Sequence, residues 1–244
     1  MWLSDNTKIK DCGILEDFCD YHCHLLPDVD DGVKKTEHTI EILNLWEEAG
    51  VKEVWLTPHI MEDMPNQPER LQEEFDHLCK SYSGTVILNL AAENMLDNLF
   101  NKRMQQNDIL TITPSLSMQE ANYGDNPLIL VETSYYNAPI DMEQQLFQIK
   151  SKGMTPVLAH PERYQYMEMD DYMKWKRKDV LFQVNLPSLV GAYGNEVKKK
   201  ALALLKKGMY DLIGTDTHSL KGAQFLLESK INNKCLKMLK DIKH

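Results

Sequence analysis

The chain has 244 residues, the length of one large α/β domain or of two small ones. Its 43% hydrophobic and 26% charged residues exclude a disordered chain, a collagen-like fibre and a disulfide scaffold. A net charge of -10 argues against nucleic-acid binding, and a mean hydropathy of -0.44, with no apolar run near the ~18 residues of a membrane span, argues against membrane insertion.

The opening stretch, MWLSDNTKIKDCGILED, carries charge where a secretory signal has an apolar core. The five cysteines form no CxxC pair and read as reduced thiols, so a cytoplasmic protein is expected. Strand-like and helix-like segments then alternate. The predicted order is a strand over 17–24, a helix over 35–49, a strand over 51–59, a helix over 68–82, a strand over 86–93 and a helix over 97–106. It continues with a strand over 128–133, a helix over 141–152, a strand over 155–160, a helix over 170–178, a strand over 180–186 and a helix over 195–207. A strand over 210–218 and a last helix over about 220–240 complete it. Residues 107–126, with Pro114 and Gly124, read as a loop with a short extra strand as an option. In the first helix Ile42, Leu45, Trp46 and Ala49 form one apolar stripe, and Gly50 stands where a C-cap glycine belongs. Such repetition implies βαβ units and parallel strands, and seven units without a Gly/Ser/Pro-rich linker fit one barrel better than two domains.

The predicted strands end in metal-ligand chemistry. The first ends Asp20-Tyr21-His22-Cys23-His24, where His22 and His24, as residues i and i+2, share one face and Cys23 points away. Asp31 lies in the acidic loop that follows, and the next strands end in His59, Glu93, Glu132 and His160. The last ends Asp216-Thr217-His218, a second i, i+2 pair. In parallel α/β barrels chemistry sits at the carboxyl ends of the strands. Any one of these residues alone could be a structural histidine, a helix cap or a turn. Together they would bring several acids and imidazoles into one apolar barrel mouth, where only cations compensate them. Nine ligands exceed the coordination of one ion and suit two or three. Imidazole and carboxylate without thiolate suit Mn, Zn or Fe. Arg163, just after His160, could grip a phosphate with its planar fork, or pair at the surface with Glu162. The other three histidines, His38, His77 and His244, read as surface residues.

The segments DYHCHLLPDVDDG, TPH, AAE, VET, AHPERY and GTDTH, in this order, resemble the PHP (polymerase and histidinol phosphatase) superfamily. Within it the chain is most similar to the bacterial manganese-dependent tyrosine-protein phosphatases of capsule and exopolysaccharide operons, the CpsB/CapC type. The resemblance runs from about residue 17 to 220 and leaves residues 1–16 as an N-terminal extension before a single phosphatase domain over 17–244. It implies a distorted (β/α)7 TIM-like barrel. It implies up to three Mn2+ ions: one held by His22, His24, Glu93 and Asp216, one by Glu93, Glu132 and His160, one by Asp31, His59 and His218. Arg163 would bind the substrate phosphate, and a metal-bound hydroxide held by Glu93 and Asp216 would attack phosphorus. The implied substrate is the phosphotyrosine tail of a membrane-anchored bacterial tyrosine kinase that regulates polysaccharide export. One departure concerns the second phosphate clamp, because Lys221 stands near where the family pattern often has an arginine.

Three other functions compete. A small-molecule phosphatase, such as one acting on histidinol phosphate, would share the metal core. A non-catalytic phosphopeptide-binding module would bind without releasing phosphate. A DNA exonuclease is disfavoured by the acidic balance.

Overall fold

The structure, a computed structural model, describes residues 6–114 and 125–242. Its centre is a curled parallel sheet in two parts. Strands β2 (Cys19–Cys23), β3 (Glu53–Leu56) and β5 (Ile87–Leu90) form one part in the order β2-β3-β5. Strands β4 (His59–Ile60), β6 (Glu93–Met95), β7 (Leu128–Glu132), β8 (Thr155–Ala159), β9 (Leu181–Asn185) and β10 (Leu212–Gly214) form the other, in the order β10-β9-β8-β7-β6-β4.

The strands expected over 51–59 and 86–93 are thus each divided in two. Thr57-Pro58 interrupts the first, where proline has no N–H for a ladder. Pairing nevertheless continues across both breaks through Ala91 N–H to the Leu56 carbonyl (2.9 Å) and Glu93 N–H to the Pro58 carbonyl (3.2 Å). At the other side of the sheet, Asp216 N–H donates to the His22 carbonyl at 2.7 Å and His24 N–H to the Thr217 carbonyl at 3.0 Å. These bonds join the chain beyond β10 to the end of β2.

Side chains alternate between the sheet's two faces, and both faces are buried. Leu128, Leu130, Val157, Ala159, Leu181 and Leu212 share one apolar cluster with Cys19, Tyr21, Trp55 and Ala91. The residues between them, such as Ile129, Val131, Leu158, Phe182 and Ile213, join a larger cluster with helix residues Ile42, Trp46, Leu146, Ile149 and Leu204. The smaller cluster therefore lies on the face turned away from the helices. Following that face toward the strand ends leads from apolar to polar: Trp55 to His59, Ala91 to Glu93, Leu130 to Glu132, Leu181 to Gln183 and Asn185, Leu212 to Asp216. In β2 the parity changes. The pairing of β2 with β3 shifts register between Asp20 and Cys23, which moves the inward face from Cys19 and Tyr21 to His22 and His24.

The single helix expected over about 220–240 is instead two helices, Leu220–Glu228 and Asn233–Lys240, separated by strand β11 (Lys230–Asn232). Strand β1 (Asn6–Lys8) pairs with it antiparallel. The β-branched Ile231 is buried there, and the Asn232 carboxamide caps the second helix by accepting from Lys234 N–H at 2.8 Å. Ile9, Ile14 and Leu15 enter the larger core, and Lys8 and Lys10 both pair with Glu228. Helix Leu186–Val190, directly after β9, also has no counterpart among the predicted elements. In the loop expected over 107–126, Ile112 makes a two-bond antiparallel bridge to Leu128; residues 115–124 lie outside the described part.

Ile9 is fully buried although it precedes the repeating units. Ile9→Ala should cost about 2–5 kcal/mol of unfolding free energy in urea titration, whereas Ile140→Ala, at a fully exposed position, should stay within about 0.5 kcal/mol of wild type.

Candidate metal centre

The polar ends of the inward face converge. His22 and His24 point their Nε2 atoms at one another across 3.0 Å. The remaining nitrogen of each ring is held: His22 Nδ1 by the Gln183 carboxamide oxygen at 2.8 Å, His24 Nδ1 by Asp30 Oδ2 at 2.7 Å. These bonds leave both Nε2 atoms facing inward. Glu93, at the start of β6, is the centre of the arrangement. Its Oε2 lies 3.2 Å from His22 Nε2, 3.3 Å from His24 Nε2 and 3.1 Å from His59 Nδ1, and its Oε1 lies 2.9 Å from His160 Nε2. Glu132 reaches His59 Nδ1 at 3.1 Å, and Asp31 lies 3.5 Å from both His59 and His218. Two of these positions carry left-handed backbone, His160 at φ 32° and Asp216 at φ 50°. Such φ values are costly for residues with a Cβ, and here they place ligand-type side chains.

All nine positions read from the sequence thus meet in one cluster. Three of its subsets bring ligand atoms within 4.8 Å of one another: His22, His24 and Glu93; His59, Glu93 and Glu132; and His24, Asp31, His59 and His218. His59 accordingly sits nearer to Glu93 and Glu132, and His24 nearer to Asp31 and His218, than the partition by resemblance implies. Cys23 points away, its thiol toward the Trp55 carbonyl. His38 and His77 are exposed, and His244 lies outside the described residues.

The donor set fits divalent cations. Glu93 Oε2 and His59 Nδ1 are buried and, although 3.1 Å apart, make no well-directed hydrogen bond among the described residues. Burial alone would raise the Glu93 carboxyl, but His22 and His59 with the other imidazoles hold it well below the usual carboxylate range. Burial likewise opposes a charged His22 and His59. The facing carboxylates, Glu93 first for each, outweigh it and push these imidazoles up to about 9 and about 10. In the protein alone the facing carboxylates thus favour positive charge on these imidazoles. A cluster of cations supplies it with neutral imidazoles as ligands.

Arg163 closes the 3-10 turn Pro161–Arg163 directly after His160. Its Nη1 donates to Asp216 Oδ2 at 2.8 Å. The guanidinium lies between two rings, 4.3 Å from the centroid of Tyr135 and 4.4 Å from that of Tyr193. The alternative pairing with Glu162 at the surface does not occur. Glu162 is buried and accepts instead from Asn185 N–H and the Tyr210 hydroxyl, both at 3.0 Å. Lys221 is exposed in the first turn of helix Leu220–Glu228.

Several residues that shape the site were not singled out from the sequence. Asp30 fixes His24 and also accepts from the N–H groups of Gly32 and His59. Gln183 and Asn185 form a chain from His22 to Asp216: Gln183 Nε2 donates to Asn185 Oδ1 at 2.8 Å, and Asn185 Nδ2 donates to Asp216 Oδ2 at 2.6 Å. Their signal was present, because the one predicted strand without a His, Asp or Glu at its end carries two amides at i and i+2. Asp20 accepts from both the N–H and the hydroxyl of Thr215, and burial raises its carboxyl to about 6.

Fold and site define a class: a parallel α/β protein whose strand ends collect imidazoles and carboxylates at metal-ligand spacing, with an arginine beside them. Within that class, the sequence model described as capsular polysaccharide synthesis, CpsB/CapC, matches residues 18–240, and the chain belongs to this family. It is 25% identical over 230 residues to the putative tyrosine-protein phosphatase CapC of Staphylococcus aureus, covering 89% of this chain and 84% of that one. It is 26% identical over 209 residues to the tyrosine-protein phosphatase YwqE of Bacillus subtilis, covering 84% and 79% of the two chains. A solved structure from the description of YwqE from Bacillus subtilis and CpsB from Streptococcus pneumoniae as unique metal-dependent tyrosine phosphatases superimposes with a TM-score of 0.75 at 23% identity, covering 92% of this chain and 87% of that one. At that identity the superposition speaks for the fold.

Gly214 tests the packing under the centre. A Cβ there would stand 2.6 Å from His22 Cβ and 2.7 Å from Gln183 Nε2. Gly214→Ala should cost about 1–3 kcal/mol in denaturant titration and lower the divalent metal retained per chain after gel filtration, measured by elemental analysis.

Proposed function

We propose that the chain is a metal-dependent phosphomonoester hydrolase that acts on phosphotyrosine in a protein. The carrying observation is the convergence of five imidazoles and three further carboxylates around buried Glu93, with Arg163 beside them. Membership of a family whose curated members are named tyrosine-protein phosphatases supports the choice of substrate. The two-part sheet is read as a distorted (β/α)7 barrel with this site at its mouth.

His22, His24, Glu93 and Asp216 would hold one ion, Glu93, Glu132 and His160 a second, and Asp31, His59 and His218 a third, with Mn2+ the expected metal. Bound divalent ions polarise phosphoryl oxygens and lower the pKa of coordinated water. The chain's own residues supply orientation. Tyr135 and Tyr193 confine the Arg163 guanidinium to one plane, so its parallel N–H groups are arranged for two phosphate oxygens before substrate arrives. Asn185 and Tyr193 donate to Asp216 Oδ2 and hold that carboxylate in place. Gln183 and Asp30 hold Nδ1 of His22 and His24 and so aim the Nε2 atoms of both rings at the site. A phenolate, with a pKa near ~10, leaves without a dedicated proton donor. The natural substrate under this reading is the tyrosine-phosphorylated tail of a capsule-regulating kinase, met in the cytoplasm.

Phosphate release from a phosphotyrosyl peptide and from histidinol phosphate, measured in parallel with metal analysis, separates the readings. Turnover of the peptide is expected, and turnover of histidinol phosphate alone overturns the choice of substrate. His22→Ala should lose metal and lower kcat by at least about a thousandfold, on the scale of several kcal/mol of metal-supplied stabilisation. Arg163→Ala should retain its metal content and lose about 10- to 150-fold in kcat/KM, the range of a charged hydrogen-bonding group. Metal loss in Arg163→Ala would show that the arginine's role has been misassigned.

A further inference from the structure

One cavity opens directly beside the candidate centre. Its volume is about 350 Å³, and its lining combines the charged and polar Arg163, Asp216 and His218 with the largely apolar Pro187, Tyr193 and Phe225. A volume at the lower end of the range for small-molecule sites, about 300–1,000 Å³, suits a phosphate and one ring.

The apolar lining has two features of construction. Tyr193 sits in the short connection between helices Leu186–Val190 and Asn195–Lys206, flanked by Gly191 and Gly194, both at φ 92°. These left-handed positions, which a Cβ would strain, turn the connection so that the Tyr193 ring covers Arg163 and its hydroxyl reaches Asp216 at 3.3 Å. Phe225 lies on helix Leu220–Glu228 one turn beyond Gly222, which also lines the cavity and presents no side chain in front of the ring. Phe225 is 53% exposed, although Ala223, Leu226 and Leu227 of the same helix are buried. A single exposed aromatic residue is ordinary. This one shares a cavity with the arginine and with two residues of the candidate metal cluster.

We infer that this cavity is the subsite for the aromatic ring of the phosphomonoester, with Phe225 as its specificity-determining wall. The inference rests on the reading of the centre as a phosphomonoesterase. Phosphate held at Arg163 leaves the ester oxygen pointing away from the charged floor. A phenyl group on that oxygen meets the apolar wall and covers the exposed face of Phe225. A seryl or threonyl ester carries no ring to do so, and its peptide backbone would have to enter the cavity. The wall therefore selects aryl over alkyl phosphate esters after the charged groups have selected phosphate.

Titration calorimetry on the Mn2+-loaded protein, with phenylphosphonate and inorganic phosphate as probes, measures this directly. Phe225→Ala should weaken phenylphosphonate about three- to tenfold, the scale of one aromatic pair, and leave inorganic phosphate within about twofold. Phe225→Tyr should restore the ratio. The exposed position makes loss of folding an unsuitable explanation for a selective effect. An unchanged ratio, equal weakening of both probes, or failure of the wild-type protein to prefer phenylphosphonate overturns the subsite. Peptide turnover measured on the same wild-type sample distinguishes the two readings: its absence overturns the proposed function, whereas an unchanged probe ratio with normal turnover overturns only the subsite.

Discussion

The structure depends on compensating one buried carboxylate. Glu93 is fully enclosed, and its two oxygens face four imidazole nitrogens from three different segments of the chain. An ionised carboxylate in such a place is costly unless charge is brought to it. His22, His24, His59 and His160 come from the ends of β2, β4 and β8, so satisfying Glu93 requires those strand ends to meet. The parallel sheet provides that meeting point, and its apolar inward face provides the floor beneath. Site and fold are therefore the same constraint seen from two sides.

That constraint explains the irregularities of the sheet. The register shift in β2 turns His22 and His24 inward, the break at Thr57-Pro58 separates β4 from β3 just before His59, and left-handed backbone at His160 and Asp216 reorients two further side chains. A regular barrel of the same length would keep strict alternation, and Cys23 rather than His22 and His24 would then continue the face of Cys19 and Tyr21. Apart from the shift inside β2, these irregularities sit where strands end or begin, whereas Leu130, Val157 and Phe182 in the strand middles pack in ordinary alternation. Asp20 supports the shifted end of β2 by tying Thr215 to it with two hydrogen bonds.

This division also marks what the sequence made legible. The alternation of strands and helices could be read because each element carries its own period, and the ligand set could be read because charged residues at the ends of apolar runs stand out. The breaks in the strands could not be read, because a two-residue interruption leaves the local pattern intact. The split of the last helix was hidden for a related reason. Lys230–Asn232 continues an acceptable helical pattern, and only its pairing with Asn6–Lys8, at the opposite end of the chain, makes it a strand. Asp30 does not stand out alone, and the amides Gln183 and Asn185, at i and i+2, signal a shared face but not a role, because the roles of all three exist only through the rings and carboxylate they hold.

Asp216 shows how the acidic balance of the chain and an anionic ligand are reconciled. Its two oxygens face different neighbours: Oδ1 looks toward His22, His24 and His218 at 3.4–3.5 Å, and Oδ2 receives Arg163, Asn185 and Tyr193. Arg163 is thereby neutralised by the same carboxylate that borders the metal cluster. Positive charge placed among the imidazoles draws on Oδ1 and lessens the hold of Asp216 on the guanidinium. An anion at Arg163 acts in the same direction from the other side, since it competes with Oδ2 for the N–H groups. If the cluster holds cations and Arg163 a phosphate, as proposed above, the two would favour one another through this one residue. A surface of net charge -10 can thus admit a phosphate, because the negative charge at the mouth belongs to the groups that a metal cluster would neutralise.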